Sequence, residues 1–143
     1  MSTARLQVNL DALAQNFHRL RQRGVQSLPA DCAAAVVKAN GYGLGMHTVA
    51  RRLYQEGCRR FFVASATEGG QLRDLLLDVQ IYVLAGATRQ TLGDLVAQRL
   101  TPVLNTLKQC ELWSTTPQAG PAALHIDTRK HRLGLSWQDD LSQ

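Results

Sequence analysis

Five short apolar runs recur along the chain: CAAAVV at 32–37, FFVAS at 61–65, IYVLAG at 81–86, LTPVL at 100–104 and AALHID at 122–127. Between them the apolar residues fall at helical spacing, as in Leu10, Leu13, Ala14, Phe17 and Leu20, or Val49, Ala50, Leu53 and Tyr54. A strand followed by an amphipathic helix, repeated, leaves few folds open. Each strand must lie parallel to the last, because the helix carries the chain back across the sheet. CAAAVV is apolar throughout, which predicts a strand buried on both faces. The expected helices cover 10–23, then 47–56 with Gly57 as its stop, then 67–77 capped by Thr67 with Glu68 in its first turn, then 88–98 and 107–115. LQVNL at 6–10 alternates and predicts a further short strand, and SWQDD at 136–140 reads as the start of another helix.

No linker or low-complexity segment interrupts this alternation, so residues 1–143 are expected to form part of one α/β unit. The spacing fits a doubly wound sheet and a (β/α)8 barrel alike. In both, ligands gather at the carboxyl ends of the strands. Lys38 stands at the end of the first strand, Leu84 to Gly86 at the end of the third, and Asp127 at the end of the fifth.

Composition narrows the function classes. Hydrophobic residues make up 45% and charged residues 19%, an ordinary globular balance. No apolar run approaches the roughly 18 residues of a membrane helix, and MSTARLQVNLDAL lacks the apolar core of a secretory leader. Cys32, Cys58 and Cys110 fit neither a metal spacing nor a disulfide framework, so reduced thiols in a cytoplasmic protein are expected. The +5 charge is scattered along the chain without nucleic-acid motifs, and predicts a solvated basic face rather than a nucleic-acid site. His18, His47 and His131 form no metal constellation with acids or cysteines.

The run AVVKANGYGLG at 35–45 carries an apolar strand straight into Lys38 and then into a turn with three glycines. A buried ammonium is costly unless paired or neutralised. Lys38 is therefore a structural cation, a phosphate contact or a nucleophile. Gly41, Gly43 and Gly45 match neither the dinucleotide fingerprint nor the P-loop, whose lysine follows its glycines.

VKANGYGLG resembles the lysine motif of the alanine racemases, usually VKANAYGHG. LHIDTRKHRLGL resembles the same family's K-x-D-T-G-M-x-R-L-G segment, and FFVASATEGGQLR its F-x-V-A-x-x-x-E-A-x-x-L-R pattern. IYVLAGA and VNLDALAQNFHRLR match in the same order, so the resemblance covers essentially the whole chain. It implies a fold-type III pyridoxal phosphate enzyme, with this chain as about the first five strand–helix units of a partial (β/α)8 TIM-type barrel. It implies that Lys38 forms the Schiff base with pyridoxal 5'-phosphate and serves as one of two acid–base groups interconverting L- and D-alanine. Tyr42 matches the tyrosine that contacts the cofactor phosphate. Arg132 matches the arginine near the cofactor's phenolic oxygen and the substrate carboxylate, and Leu84 a residue lining the cofactor pocket. The full-length family implies a homodimer that supplies D-alanine for peptidoglycan.

Three departures bear on that carry-over. His125 replaces a lysine that some members carbamylate, Arg129 and Lys130 replace a glycine–methionine pair, and Leu44 replaces a histidine. Asp127 is expected to be structural, with Arg132 as its alternative partner, and Tyr42 has an alternative role in packing. Set against that family, the later barrel strands and the C-terminal β domain, with the second acid–base tyrosine, are expected to be absent from these 143 residues. A fragment inactive alone is the expectation. A cofactor-binding protein without catalysis, a racemase for another amino acid and a degenerate interaction module stay open as alternatives.

Overall fold

The computed structural model describes residues 6–24 and 33–136. Its centre is a five-stranded sheet in the order β1-β2-β3-β4-β5, every pair parallel: β1 (Ala35–Val36), β2 (Arg60–Val63), β3 (Gln80–Val83), β4 (Thr101–Leu104) and β5 (Ala123–Leu124). Strands in unbroken chain order build a barrel wall, whereas a doubly wound sheet reverses its order at a switch point. The fold is therefore α/β, a partial (β/α)8-type barrel.

The helices are α1 (Leu10–Gly24), α3 (Met46–Gln55), α4 (Ala66–Leu75), α5 (Leu92–Ala97) and α6 (Leu107–Ser114), with a short helical segment α2 (Lys38–Tyr42) after β1. They cover one face of the sheet, where Val37, Phe61, Val63, Ile81 and Val83 are almost fully buried. Burying a side chain such as Phe61 or Ile81 contributes about 1.5–3 kcal/mol each. Helix α4 lies very close to the sheet, since a Cβ on Gly69 would stand 2.8 Å from Leu100 Cδ1. At the amino-terminal ends of the strands the Arg73 guanidinium donates to the carbonyls of Leu76, Leu77, Val79, Gln98 and Arg99, tying α4 to α5.

The opposite face is open at β1 and closes toward β4, where Thr101 and Val103 are buried. Val36 is 45% exposed, and the Phe62 and Tyr82 rings stack beside it at 4.5 Å. The expectation that the first strand is buried on both faces is thus corrected: only its helix side is covered. Several boundaries also move. Residues 6–9 form no strand, and Leu10 opens α1. Helix α4 is capped by Ser65 rather than Thr67. The run 122–127 divides at His125, where β6 (Ile126–Asp127) leaves the main sheet to pair with β7 (Leu135–Ser136). Cys32 and most of SWQDD lie outside the described residues. Cys58 is buried, which raises its thiol pKa, and no helix among the described residues is long and apolar enough to cross a membrane.

Candidate functional site at the carboxyl ends of the strands

Lys38 leaves β1 on a turn that winds left-handed. Ala39, Asn40, Gly41 and Tyr42 have φ of 52°, 53°, 63° and 57°, and Gly43 and Gly45 follow at 82° and 94°. Left-handed backbone costs a residue with a Cβ about 1–2 kcal/mol, so the conformation must be imposed. Six hydrogen bonds impose it. Gly41 N–H donates to the Val37 carbonyl at 2.8 Å, Gly43 to Ala39 at 3.0 Å, Leu44 to Gly41 at 3.1 Å and Gly45 to Asn40 at 2.9 Å. Asn40 Oδ1 accepts from Met46 N–H at 2.9 Å, which caps α3 because Gly45, at its cap position, has no side chain. Glu68 Oε1 accepts from Ala39 N–H at 2.8 Å. Gly41 is required here, since a Cβ would press on Met46 N at 3.2 Å.

The Lys38 side chain is half-buried, and among the described residues no carboxylate pairs with it. Tyr42 is 62% exposed, so burial among the described residues does not hold its ring. Leu84 stands at the end of β3, its N–H donating to Val63 at 2.9 Å and its carbonyl accepting from Asn105 Nδ2 at 3.0 Å. Leu84 continues β3 two residues beyond Tyr82 and so lies on the Tyr82 side, whereas Lys38 follows Val37, whose ψ of 17° ends the extended alternation, and opens α2. Lys38, Tyr42 and Leu84 thus share one end of the sheet. Arg132 lies apart, exposed in the bend between β6 and β7. Asp127 does not use it: Oδ1 accepts from the N–H groups of Arg129, Lys130 and His131 at 3.0, 2.7 and 3.1 Å. Those donors, Arg129's first, hold the Asp127 carboxyl below its usual range.

Two further residues give this end its order, and the sequence reading gave neither this role. Helix α4 begins Ser65-Ala-Thr-Glu68 and α6 begins Thr106-Leu-Lys-Gln109, both with capping-box spacing. In each the hydroxyl accepts from the N–H three residues on, at 3.2 Å. The third-turn-position side chain then reaches beyond its own cap. Glu68 Oε2 accepts from Ala64 N–H at 2.7 Å, while its Oε1 holds Ala39. Gln109 Oε1 accepts from Asn105 N–H at 2.8 Å, while its Nε2 donates to the Ala85 carbonyl at 3.2 Å. Ala85 N–H donates to the Ala64 carbonyl at 3.0 Å, and His125 Nδ1 lies 2.8 Å from Asn105 Oδ1. Asn105 spends its Nδ2 on the Leu84 and Val103 carbonyls, so its Oδ1 accepts and His125 carries its proton on Nδ1. One hydrogen-bonded chain therefore runs from Ala39 across the strand ends to His125.

A cleft of about 480 Å³ lies at the other end of the strands and is lined by residues including Arg73, Val79, Leu95 and Arg99. None of the four expected site residues reaches it, and its Arg73 guanidinium is already bonded to backbone carbonyls. Among the described residues no group of three or more potential metal ligands exists.

Known proteins resemble this chain over most or all of its length. A family model described as alanine racemase, N-terminal domain, matches residues 8–143. An alanine racemase of Rickettsia peacockii (strain Rustic) is 42% identical over all of this chain, which covers 40% of that protein. One from Rhodospirillum rubrum is 43% identical over 94% of the chain and 37% of its own length. The crystal structure of alanine racemase from Bartonella henselae with covalently bound pyridoxal phosphate superposes with a TM-score of 0.77 at 34% identity. That match covers 91% of this chain and 38% of the other. The chain thus spans about two fifths of the length of these relatives.

Proposed function

The chain belongs to the alanine racemase family, matching its N-terminal domain, and from that premise we propose that it serves the interconversion of L- and D-alanine with pyridoxal phosphate as cofactor. The observation that supports this most is the Lys38 amine, set at a strand end on a strained turn and left without a carboxylate partner among the described residues. Strain of this kind persists only where the surrounding structure over-determines it, and it concentrates at functional sites.

The donor set fits the cofactor. A primary amine holds an aldehyde carbon covalently, and a phenol donates to phosphate oxygens. The turn also leaves space, since a Cβ on Gly43 would meet no atom within 4 Å. Lys38 Nζ would hold the cofactor, with Tyr42 at its phosphate and Leu84 against its ring. Arg132 would approach its phenolic oxygen and the substrate carboxylate. When bound, the cofactor supplies an electron sink that makes the substrate α-carbon acidic. Lys38 Nζ would take and return the α-proton on one face of the substrate, as one of two acid–base groups. The second group is expected from the C-terminal domain of a complete family member, and a cytoplasmic homodimer is its expected setting.

The test is reductive trapping. The purified chain is treated with pyridoxal phosphate and borohydride beside Lys38→Ala, and the labelled peptides are mapped. A phosphopyridoxyl group concentrated on the Lys38 peptide, and lost in the variant, is the expected result. Label spread evenly over Lys38, Lys108 and Lys130 at saturating cofactor would overturn the reading.

A further inference from the structure

We propose that Glu68 is the positioning residue of the Lys38 turn, its two carboxylate oxygens closing the last rung between β1 and β2 and holding Ala39 left-handed. The proposal rests on Lys38 being the group that holds the cofactor. Its geometry is independent of that reading.

Val37 N–H donates to the Phe62 carbonyl at 2.9 Å. In a regular parallel pair the next rung runs from Ala64 N–H to the Val37 carbonyl. That carbonyl instead receives Gly41 N–H as the chain turns away. Two donors are thereby stranded at the end of the sheet, Ala64 N–H on β2 and Ala39 N–H just beyond β1. Both residues are exposed, so water could meet these donors, and Glu68 replaces that water with one fixed, charged acceptor. Glu68 meets both, at 2.7 and 2.8 Å, in the short range of charge-assisted bonds. A carboxylate is the side chain for this place because it offers two acceptors and no donor. Glutamine would have to turn its NH2 toward one of the two N–H groups.

A second consequence concerns the lysine itself. Glu68 bonds the residue next to Lys38, yet it forms no ion pair with the Lys38 ammonium. Each of its oxygens accepts from one backbone N–H, so Glu68 fixes the backbone beside the amine rather than the amine itself.

The experiment compares the chain with Glu68→Gln, Glu68→Ala and Gln109→Glu. The last makes the reciprocal change at the corresponding corner, away from the Lys38 turn. Amide hydrogen exchange at Ala39 and Ala64 is read by NMR. Reductive pyridoxal phosphate labelling of Lys38 is read against Lys108 and Lys130 in the same molecule, and a melting curve is recorded for each variant. In the unaltered chain both amides are protected. Glu68→Gln speeds exchange at one or both about tenfold and lowers the Lys38 preference about tenfold, whereas Gln109→Glu leaves that preference within about twofold at a similar loss of stability.

Rapid exchange at both amides in the unaltered chain would overturn the proposal without any variant. So would a Glu68→Gln protein with unchanged exchange, or one whose Lys38 preference falls no further than in Gln109→Glu. If the unaltered chain shows no Lys38 preference, the cofactor reading fails. The exchange data still decide whether Glu68 holds the turn.

Discussion

The corner where β2 passes into α4 and the corner where β4 passes into α6 are built on one plan. Each has a hydroxyl cap and, three residues later, a long side chain that crosses to the neighbouring strand end. They differ by one functional group. At the first corner the neighbour presents an N–H, from Ala39, and the side chain is Glu68, which can only accept. At the second the neighbour presents a carbonyl, from Ala85, and the side chain is Gln109, which accepts with one end and donates with the other. The difference follows from what β1 and β3 do next. The chain after β1 winds left-handed and turns the Ala39 N–H toward α4, while the chain after β3 stays in the ladder and leaves the Ala85 carbonyl open. Side-chain chemistry at each corner thus records the backbone conformation of the preceding strand's exit.

The comparison is broken most strongly from the glycine side. Gly43 and Gly86 have nearly the same φ, 82° and 76°, but only Gly86 is crowded: its Cβ would stand 2.3 Å from Gln109 Oε1. Gly86→Ala therefore carries backbone strain and also displaces Gln109, at about 2–4 kcal/mol in total. Gly43→Ala carries the strain alone, about 1–2 kcal/mol. Denaturant midpoints of the two variants measure the gap. Equal losses would mean that Gln109 yields freely and its corner is not ordered as described.

A smaller effect tests whether the corners are independent. The Ala64 carbonyl accepts from Ala85 N–H, so the bonds of Glu68 and Gln109 belong to one chain of amides. Hydrogen bonds in such a chain polarise one another. The double variant Glu68→Gln/Gln109→Glu is expected to depart from the sum of the single changes by about 0.5–1 kcal/mol. Additivity within measurement error would show two separate devices that happen to look alike.

Much of this was readable in the residues, and the part that was not has a common cause. The strand–helix alternation follows from local periodicity, and it survives in the structure with all five strands in order. Lys38 and Tyr42 stand out because a cation and a glycine-rich turn at a strand end are local features. Ser65 and Thr106 were also within reach as caps, three residues before Glu68 and Gln109. The destinations of Glu68 and Gln109 were not, because Ala39 lies 29 residues from Glu68 and Ala85 lies 24 from Gln109. Those contacts depend on sheet register, which no short window holds. The open face misled for the same reason. CAAAVV looks buried on both sides because composition does not say whether a second layer is present to cover Val36.

An effect of similar size lies at the far end of the same row, where the Arg132 bend can be set against the Lys38 turn. Both loops hold residues with positive φ, and both are pinned by a carboxylate accepting backbone N–H groups, Glu68 in one and Asp127 in the other. At the Lys38 turn a glycine stands where a Cβ would clash with Met46. At the Arg132 bend Arg129 is forced to φ 148°, a region that favours glycine, and its side chain is exposed and free of packing demands. Strain of this kind costs about 1–3 kcal/mol, and the extra unfolded-state freedom of glycine returns about 0.5–1 kcal/mol of it. Arg129→Gly should therefore stabilise the chain by roughly 1 kcal/mol, seen as a higher denaturant midpoint at unchanged slope. The three N–H bonds to Asp127 are backbone bonds and should persist, so the gain is conformational. A loss of stability instead would mean that the arginine side chain, not the Asp127 carboxylate, holds the bend.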